Sequence, residues 1–304
     1  MRRRTRHCAC PLLLLAAISW ASPLWASTWS DTYIGYRYGQ GYREPYNPND
    51  ITKNIISLTH ASGYKYGGNF FNVDMLMSNS EDAASCDVTE NPDCNPGGAH
   101  EAFVVYRTTF SGSAITGIPL KWGGVIRDVG LTAGFDFNAK DDQFSARVWR
   151  VLVGPKLSFD VPGYFDVAIE YRTEHNHDWY ATVPEYNDCN SSTGTCGDVQ
   201  FQDTAQLEVD WGIPFKLGLP FKFQGFGIYV GAKGADGEGA DTKPEILLEP
   251  AVLADLGSLI HQKDTFWLGF GYQYWHNKFG DDTDQDPTGG STAHVPQFEV
   301  EWHF

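Results

Sequence analysis

The sequence predicts an all-β protein, a transmembrane antiparallel β-barrel of about twelve strands. Three observations lead there. Apolar and polar side chains alternate with a period of two through long segments; the connections between those segments alternate between long and short; and a secretory signal precedes a chain with no apolar run long enough for a transmembrane helix.

The signal comes first. Residues 1–26 carry a basic start (Arg2, Arg3, Arg4, Arg6), a short apolar stretch from Pro11 to Ile18, and a small-residue cleavage site expected after Ala26. The apolar stretch is too short to cross a bilayer. Removing this segment takes away four arginines and no acid, so the formal charge moves from −16 to −20. Such an acidic chain is a poor partner for nucleic acid, whose phosphates need Lys and Arg.

Twelve strands are then expected near 29–38, 52–62, 66–78, 100–110, 127–138, 146–160, 164–175, 199–211, 221–233, 243–256, 265–277 and 294–304. In 127–138, Val129, Leu131, Phe135 and Phe137 oppose Gly130, Thr132, Asp136 and Asn138. In 164–175, Phe165, Val167, Ile169 and Tyr171 oppose Asp166, Ala168, Glu170 and Arg172. In 199–211, Phe201, Leu207, Val209 and Trp211 oppose Gln200, Gln206, Glu208 and Asp210. The chain closes with Phe298, Val300, Trp302 and Phe304 against Gln297, Glu299, Glu301 and His303.

A soluble β-sandwich shares this alternation. Strand length, aromatic residues at strand ends and the loop pattern favour the barrel. With the N-terminus periplasmic, the connections near 39–51, 79–99, 139–145, 176–198, 234–242 and 278–293 lie outside and are mostly long and acidic. Ser62-Gly63-Tyr64-Lys65 and Asp160-Val161-Pro162-Gly163 are short periplasmic turns, and 111–126, 212–220 and 257–264 are somewhat longer ones. Apolar faces then meet lipid and polar faces a wet lumen. The inward phase is expected to hold Arg37, Asn72, Asp74, Glu101, Arg107, Asp136, Arg150, Glu170, Arg172, Glu208, Asp210, Tyr229, Glu245, Trp267, Gln273, Trp275, Glu299 and Glu301. Twelve strands enclose a passage narrower than that of the wide porins. Rings, carboxylates and amides along it suit a flat polar heterocycle carrying a sugar.

The cysteines of the mature chain, Cys86, Cys94, Cys189 and Cys196, lie in two outer loops. After export, local disulfides 86–94 and 189–196 are the expectation among three connectivities; a metal site lacks zinc-type spacing and a clear histidine partner. His175-Asn176-His177-Asp178 reads as a solvated loop rather than a cation site. His60, His100 and His294 are scattered without a catalytic motif, so no enzyme is expected, and no sequence signature calls for a cofactor.

The sequence resembles the nucleoside-specific channel-forming (Tsx-like) outer membrane family. The resemblance runs through Trp29-Ser30-Asp31, Tyr36-Arg37-Tyr38-Gly39, Arg43-Glu44-Pro45-Tyr46-Asn47-Pro48-Asn49-Asp50-Ile51 and Asn69-Phe70-Phe71-Asn72-Val73-Asp74. It continues in Glu101-Ala102-Phe103-Val104-Val105-Tyr106-Arg107, Gly130-Leu131-Thr132-Ala133-Gly134-Phe135-Asp136, Trp211-Gly212-Ile213-Pro214 and Asp241-Thr242-Lys243-Pro244-Glu245. Tyr272-Gln273-Tyr274-Trp275, Asn277-Lys278-Phe279-Gly280 and the aromatic C-terminus complete it. It covers essentially the whole mature chain. It implies a monomeric barrel in the bacterial outer membrane that passes nucleosides and deoxynucleosides passively. It also implies surface loops that serve phages or colicins, and a terminal Phe304 read by the barrel-assembly machinery. The stretches 79–99 and 176–198 and the acidic 280–286 loop have no counterpart in it, so phage or colicin specificity does not carry over. The candidate substrate-binding residues, at the lumen or its mouth, are Arg43, Glu44, Asn47, Asp50, Asn72, Asp74, Asp241, Lys243, Glu245, Trp275, Asn277 and Lys278. Pro45 and Pro48 suggest a fixed loop between strands one and two that either folds over the mouth or anchors its two strands.

Overall fold

A computed structural model describes residues 27–82, 97–141, 146–177, 198–237 and 239–304. The expected export signal (1–26), Cys86, Cys94, Cys189 and Cys196 lie outside these residues. Among the described residues strand dominates: β1 (Trp29–Tyr42), β2 (Ile51–Tyr64), β3 (Gly67–Ser78), β4 (His100–Ser111), β5 (Ile126–Lys140), β6 (Arg147–Phe159) and β7 (Tyr164–His177) make the first part. A short β8 (Asp198–Gln200) is followed by β9 (Thr204–Leu217), β10 (Leu219–Val230), β11 (Glu245–Asp255), β12 (Phe266–His276) and β13 (Thr292–His303).

Neighbours in sequence pair antiparallel all the way round, and β1 pairs with β13 to close the ring. β6 meets β7 and β7 meets β9, so each of the twelve long strands has a partner on both sides. Closure leaves the twelve long strands without an edge, and so without the unpaired backbone groups that a bilayer core would not tolerate; the short β8, at the outer rim, pairs with β7 alone.

The side chains are sorted inside out. Phe270 and Trp302 point outward and are 69% and 60% exposed, whereas Glu170, Gln206 and Arg172 point inward and are at most 2% exposed. Charge within and an apolar band without fits a sheet whose outer solvent is lipid, and excludes the sandwich, whose apolar faces would be covered. Rings crowd both rims: Phe215 stacks on Phe221 and Phe159 meets Phe165 edge-on at the periplasmic end, while Trp149 stacks on His175 at the other. The protein is a membrane-spanning barrel of the bacterial outer-membrane type.

The twelve expected strands are present, with three local differences. The segment 212–220 is not a loop: β9 runs through Pro214 to Leu217, and Gly218 alone, at φ +77°, turns the chain into β10. The prolines read as breakers, but here they sit inside paired strands. The expected strand at 199–211 is interrupted at residues 201–203. There Phe201 N–H donates to the Glu174 carbonyl and Gln202 N–H to the Lys233 carbonyl. The interruption turns Phe201 inward, with its ring under the Lys233 ammonium at 4.1 Å. Tyr229, expected in the lumen, faces outward at 46% exposure. It lies opposite Ile246 of the outward phase, a placement that suits a ring in lipid with its hydroxyl at the interface.

Candidate functional site at the barrel mouth

Three outer connections meet at the mouth. Tyr42 ends β1 against Ile51, Ile55, Ala293 and Val295, an apolar cluster inside the barrel wall, and this packing directs residues 43–50 inward. Arg43 fastens the segment to itself, donating to the Pro48 carbonyl at 2.9 Å and pairing with Asp50 at 2.6 Å. Asn47 donates to the Glu81 carbonyl, and its own side-chain oxygen accepts from Asn49 N–H. Tyr46 N–H donates to Asp286, which also holds Ser291 and Thr288. Gly290 lies so close beneath this segment that a Cβ there would stand 1.9 Å from the Glu44 carbonyl oxygen.

Glu44 is the hub. Its carboxylate receives Lys53 at 2.9 Å, Lys278 at 3.1 Å and Lys140 at 3.2 Å. Asp82 adds a second bond to Lys140 at 2.7 Å and stands 3.7 Å from Lys53; Glu101 lies 3.7 Å from Lys53. Lys140 ends β5 and Lys278 follows β12, and six steps around a twelve-strand ring separate β5 from β12. Glu44 therefore joins lysines from opposite walls, and the 43–50 segment is a strap laid across the mouth. Burial works against charge on Glu44, but Lys140, Lys278 and Lys53 together hold its carboxyl well below the usual carboxylate range. Asp82 is likewise lowered, against its burial, by Lys53 and Lys140. Lys278 is lowered: burial and the neighbouring Lys53 and Lys140 outweigh Glu44.

Beside the strap, Trp275 donates its indole N–H to Glu245 at 2.7 Å. Lys278 Nζ sits 4.5 Å from the Trp275 ring centroid and donates to the Arg43 carbonyl, while Phe279 meets the indole edge-on. Sequence reasoning thus finds a group that the fold gathers: Arg43, Glu44, Asn47, Asp50, Glu245, Trp275 and Lys278. Asn277 supports it from behind, donating to the Pro244 carbonyl and accepting from Thr283 N–H. Lys243 pairs with Asp282 at 3.3 Å on the outer surface, and Asp241 is exposed in a backbone bridge to Ala235; neither reaches the Glu44 cluster. Asn72 and Asp74 lie deeper, on the lumen face of β3. Asn72 bonds Thr59 and Asp74, and Asp74 pairs with Arg37, which reaches Glu249 of β11 at 2.9 Å.

Lys53, Asp82 and Lys140 are the participants that sequence reasoning missed. Glu174 and Lys233 are missed as well: Glu174 receives Lys233 at 2.6 Å, Arg150 at 3.0 Å and Arg172 at 3.1 Å, a second buried network that braces β6, β7 and the end of β10. A lone inward charge in an alternating strand does not announce its partner. The weak signal available was the position of Lys53 and Lys140 on the inward phase, at or within two residues of the outer strand ends.

No protein-family model matches the chain, and no curated protein matches it. Among solved structures it is similar to the translocator domain of the autotransporter NalP from Neisseria meningitidis, at 10% identity over 92% of this chain and 90% of that one, with a TM-score of 0.43. It is similar also to the KdgM porin, at 9% identity over 90% and 99%, with a TM-score of 0.39. The β domain of the Bordetella autotransporter Brka gives 11% identity over 90% and 98%, also at 0.39. The fold assignment rests on the strand pairing of this chain.

Proposed function

We propose that this barrel is a passive channel for small polar solutes across the outer membrane, and that nucleosides are the class it selects. The observation that carries the channel reading is the bridged mouth. A strap held from opposite walls narrows the entrance of a lumen lined with charge and amides, an arrangement suited to screening solutes rather than passing bulk solvent. The inner side of that entrance joins an indole to a carboxylate and carries a further ring, Phe279, on the same turn. Rings offer stacking to a base, and the carboxylate accepts hydrogen bonds from sugar hydroxyls or exocyclic amines. The resemblance in the 43–51, 69–74 and 272–280 segments supports nucleosides as that solute.

Transport rather than catalysis is part of this reading. His60 bonds Thr32, His294 bonds Tyr272, and His100 pairs with Asp141; all three occupy the outward phase, away from any lumen constellation.

The test is single-channel conductance in a planar bilayer with adenosine or thymidine titrated in. Saturable block by nucleosides, absent with hexoses and amino acids, is the expected result. Trp275→Ala should weaken that block on the order of tenfold, as loss of one stacking platform does. Steady conductance that no nucleoside alters would move the function to an unselective small-solute pore.

A further inference from the structure

Below the strap, the periplasmic half of the lumen carries a local excess of carboxylate. Register places Asp166 of β7 directly opposite Asp210 of β9, both on the inward face, with Glu170 and Glu208 on the same two strands. Like charges directly opposite across a strand pair are destabilising and call for compensation. Two cations stand here. Lys156 pairs with Asp166 at 2.8 Å, and Arg107 is divided between Asp136 at 2.6 Å and Glu208 at 3.1 Å.

That compensation is incomplete. Asp210 accepts no hydrogen bond and joins no ion pair among the described residues, and Asp166 Oδ1 is buried without a hydrogen-bond partner. A further bare oxygen stands apart from the like-charged pair. Glu170 is 1% exposed and its Oε1 has no partner, although Gln206 donates to the other oxygen at 3.1 Å. A buried carboxylate oxygen left bare four residues along the strand from Asp166, on the same inward face, asks for an N–H donor that carries positive charge.

We propose that Asp166, Glu170 and Asp210 form a binding station for organic cations bearing ammonium or guanidinium groups, and that it makes the pore prefer cations to anions. Each bare oxygen would accept a charge-assisted hydrogen bond from such a solute. Lys156 and Arg107 keep the station from becoming a trap, since they already neutralise part of the charge. The selectivity claim rests on the channel reading above, whereas the binding claim does not.

The closing experiment uses the full chain and one probe, agmatine, which carries a guanidinium and an ammonium. Reversal potential is read in a KCl gradient, and agmatine binding is read by calorimetry on the detergent-solubilised barrel. Potassium should be favoured over chloride, and agmatine should bind and lower the conductance saturably. Asp210→Asn removes one of a like-charged pair, so it should fold at least as well as the parent. It should weaken agmatine on the order of tenfold, as loss of a hydrogen bond to a charged group does, and shift selectivity toward chloride. Unselective or anion-selective conductance, or agmatine affinity unchanged in Asp210→Asn, would overturn the station. Agmatine binding without any conductance would overturn the channel reading and leave the station standing.

Discussion

At the scale of the residue, Glu44 decides how the mouth is built. Three ammonium groups converge on one carboxylate that is 9% exposed, so removing its charge leaves buried lysines uncompensated. Glu44→Gln should lower stability by about 3–5 kcal/mol, the usual cost of breaking a buried charge network from one side. It should also free residues 43–50 to protease and raise single-channel conductance. Limited proteolysis of the barrel in outer-membrane vesicles reads the first effect directly, and unchanged cleavage of Glu44→Gln would show that the strap is held by its backbone contacts instead. The same cluster sets a pH window. Glu44 and Asp82 have folded values below their ordinary 4.5 and 3.8, so their contribution is complete above those values and is lost as pH falls through the depressed ones. Lys278 has a lowered value, so its contribution grows as pH rises toward 10.5. The strap should therefore hold from neutral pH down to about pH 4 and release only in stronger acid, seen as a conductance step in an acid titration. A step near pH 6 would assign the gate to other groups.

At the scale of the element, the turns give a matched comparison. Gly163 and Gly218 both lie at φ +77°, but a Cβ on Gly163 would stand 2.0 Å from the Gly212 carbonyl oxygen, while one on Gly218 would meet nothing within 4 Å. Gly218→Ala should cost only the left-handed backbone penalty of about 1–2 kcal/mol. Gly163→Ala should cost more, because the β6–β7 turn must also shift, and urea unfolding in micelles would rank the two. The strands themselves were legible because lipid outside and water inside impose a period of two on every one of them. What was lost is what that period does not encode. Pro214 reads as the end of a strand, yet pairing continues around it. Tyr229 reads as polar, yet its ring belongs to the interface. Phe201 keeps the apolar phase on paper, yet three residues of irregular chain turn it under Lys233. The mouth was half legible for the same reason. The 43–50 segment stands out by its prolines and its mixed charges, whereas Lys53, Asp82 and Lys140 become partners only after strands far apart in sequence are brought round.

At the scale of the whole molecule, the closed ring and its inside-out sorting predict gel behaviour. Unboiled protein should migrate faster than boiled protein in dodecyl sulfate, with a β-dominated circular dichroism spectrum that collapses on heating. An α-rich spectrum would overturn the architecture. The two charge networks occupy different sectors: Glu44 ties β5 to β12 across the mouth, and Glu174 ties β6 and β7 to the end of β10. Between them the wall is braced from within, where a soluble protein would rely on an apolar core.

The chord from Lys140 through Glu44 to Lys278 also bears on the order of assembly. Its ends are far apart in sequence, with Glu44 and Lys278 on either side of β2 to β12, and Lys278 comes within reach of Glu44 once β13 has joined β1 at the seam. The latch is thus a contact of high sequence separation, expected to form only after the ring is complete. An unsealed barrel in the membrane would have its entrance unlatched, a leak that ends when the last strand docks.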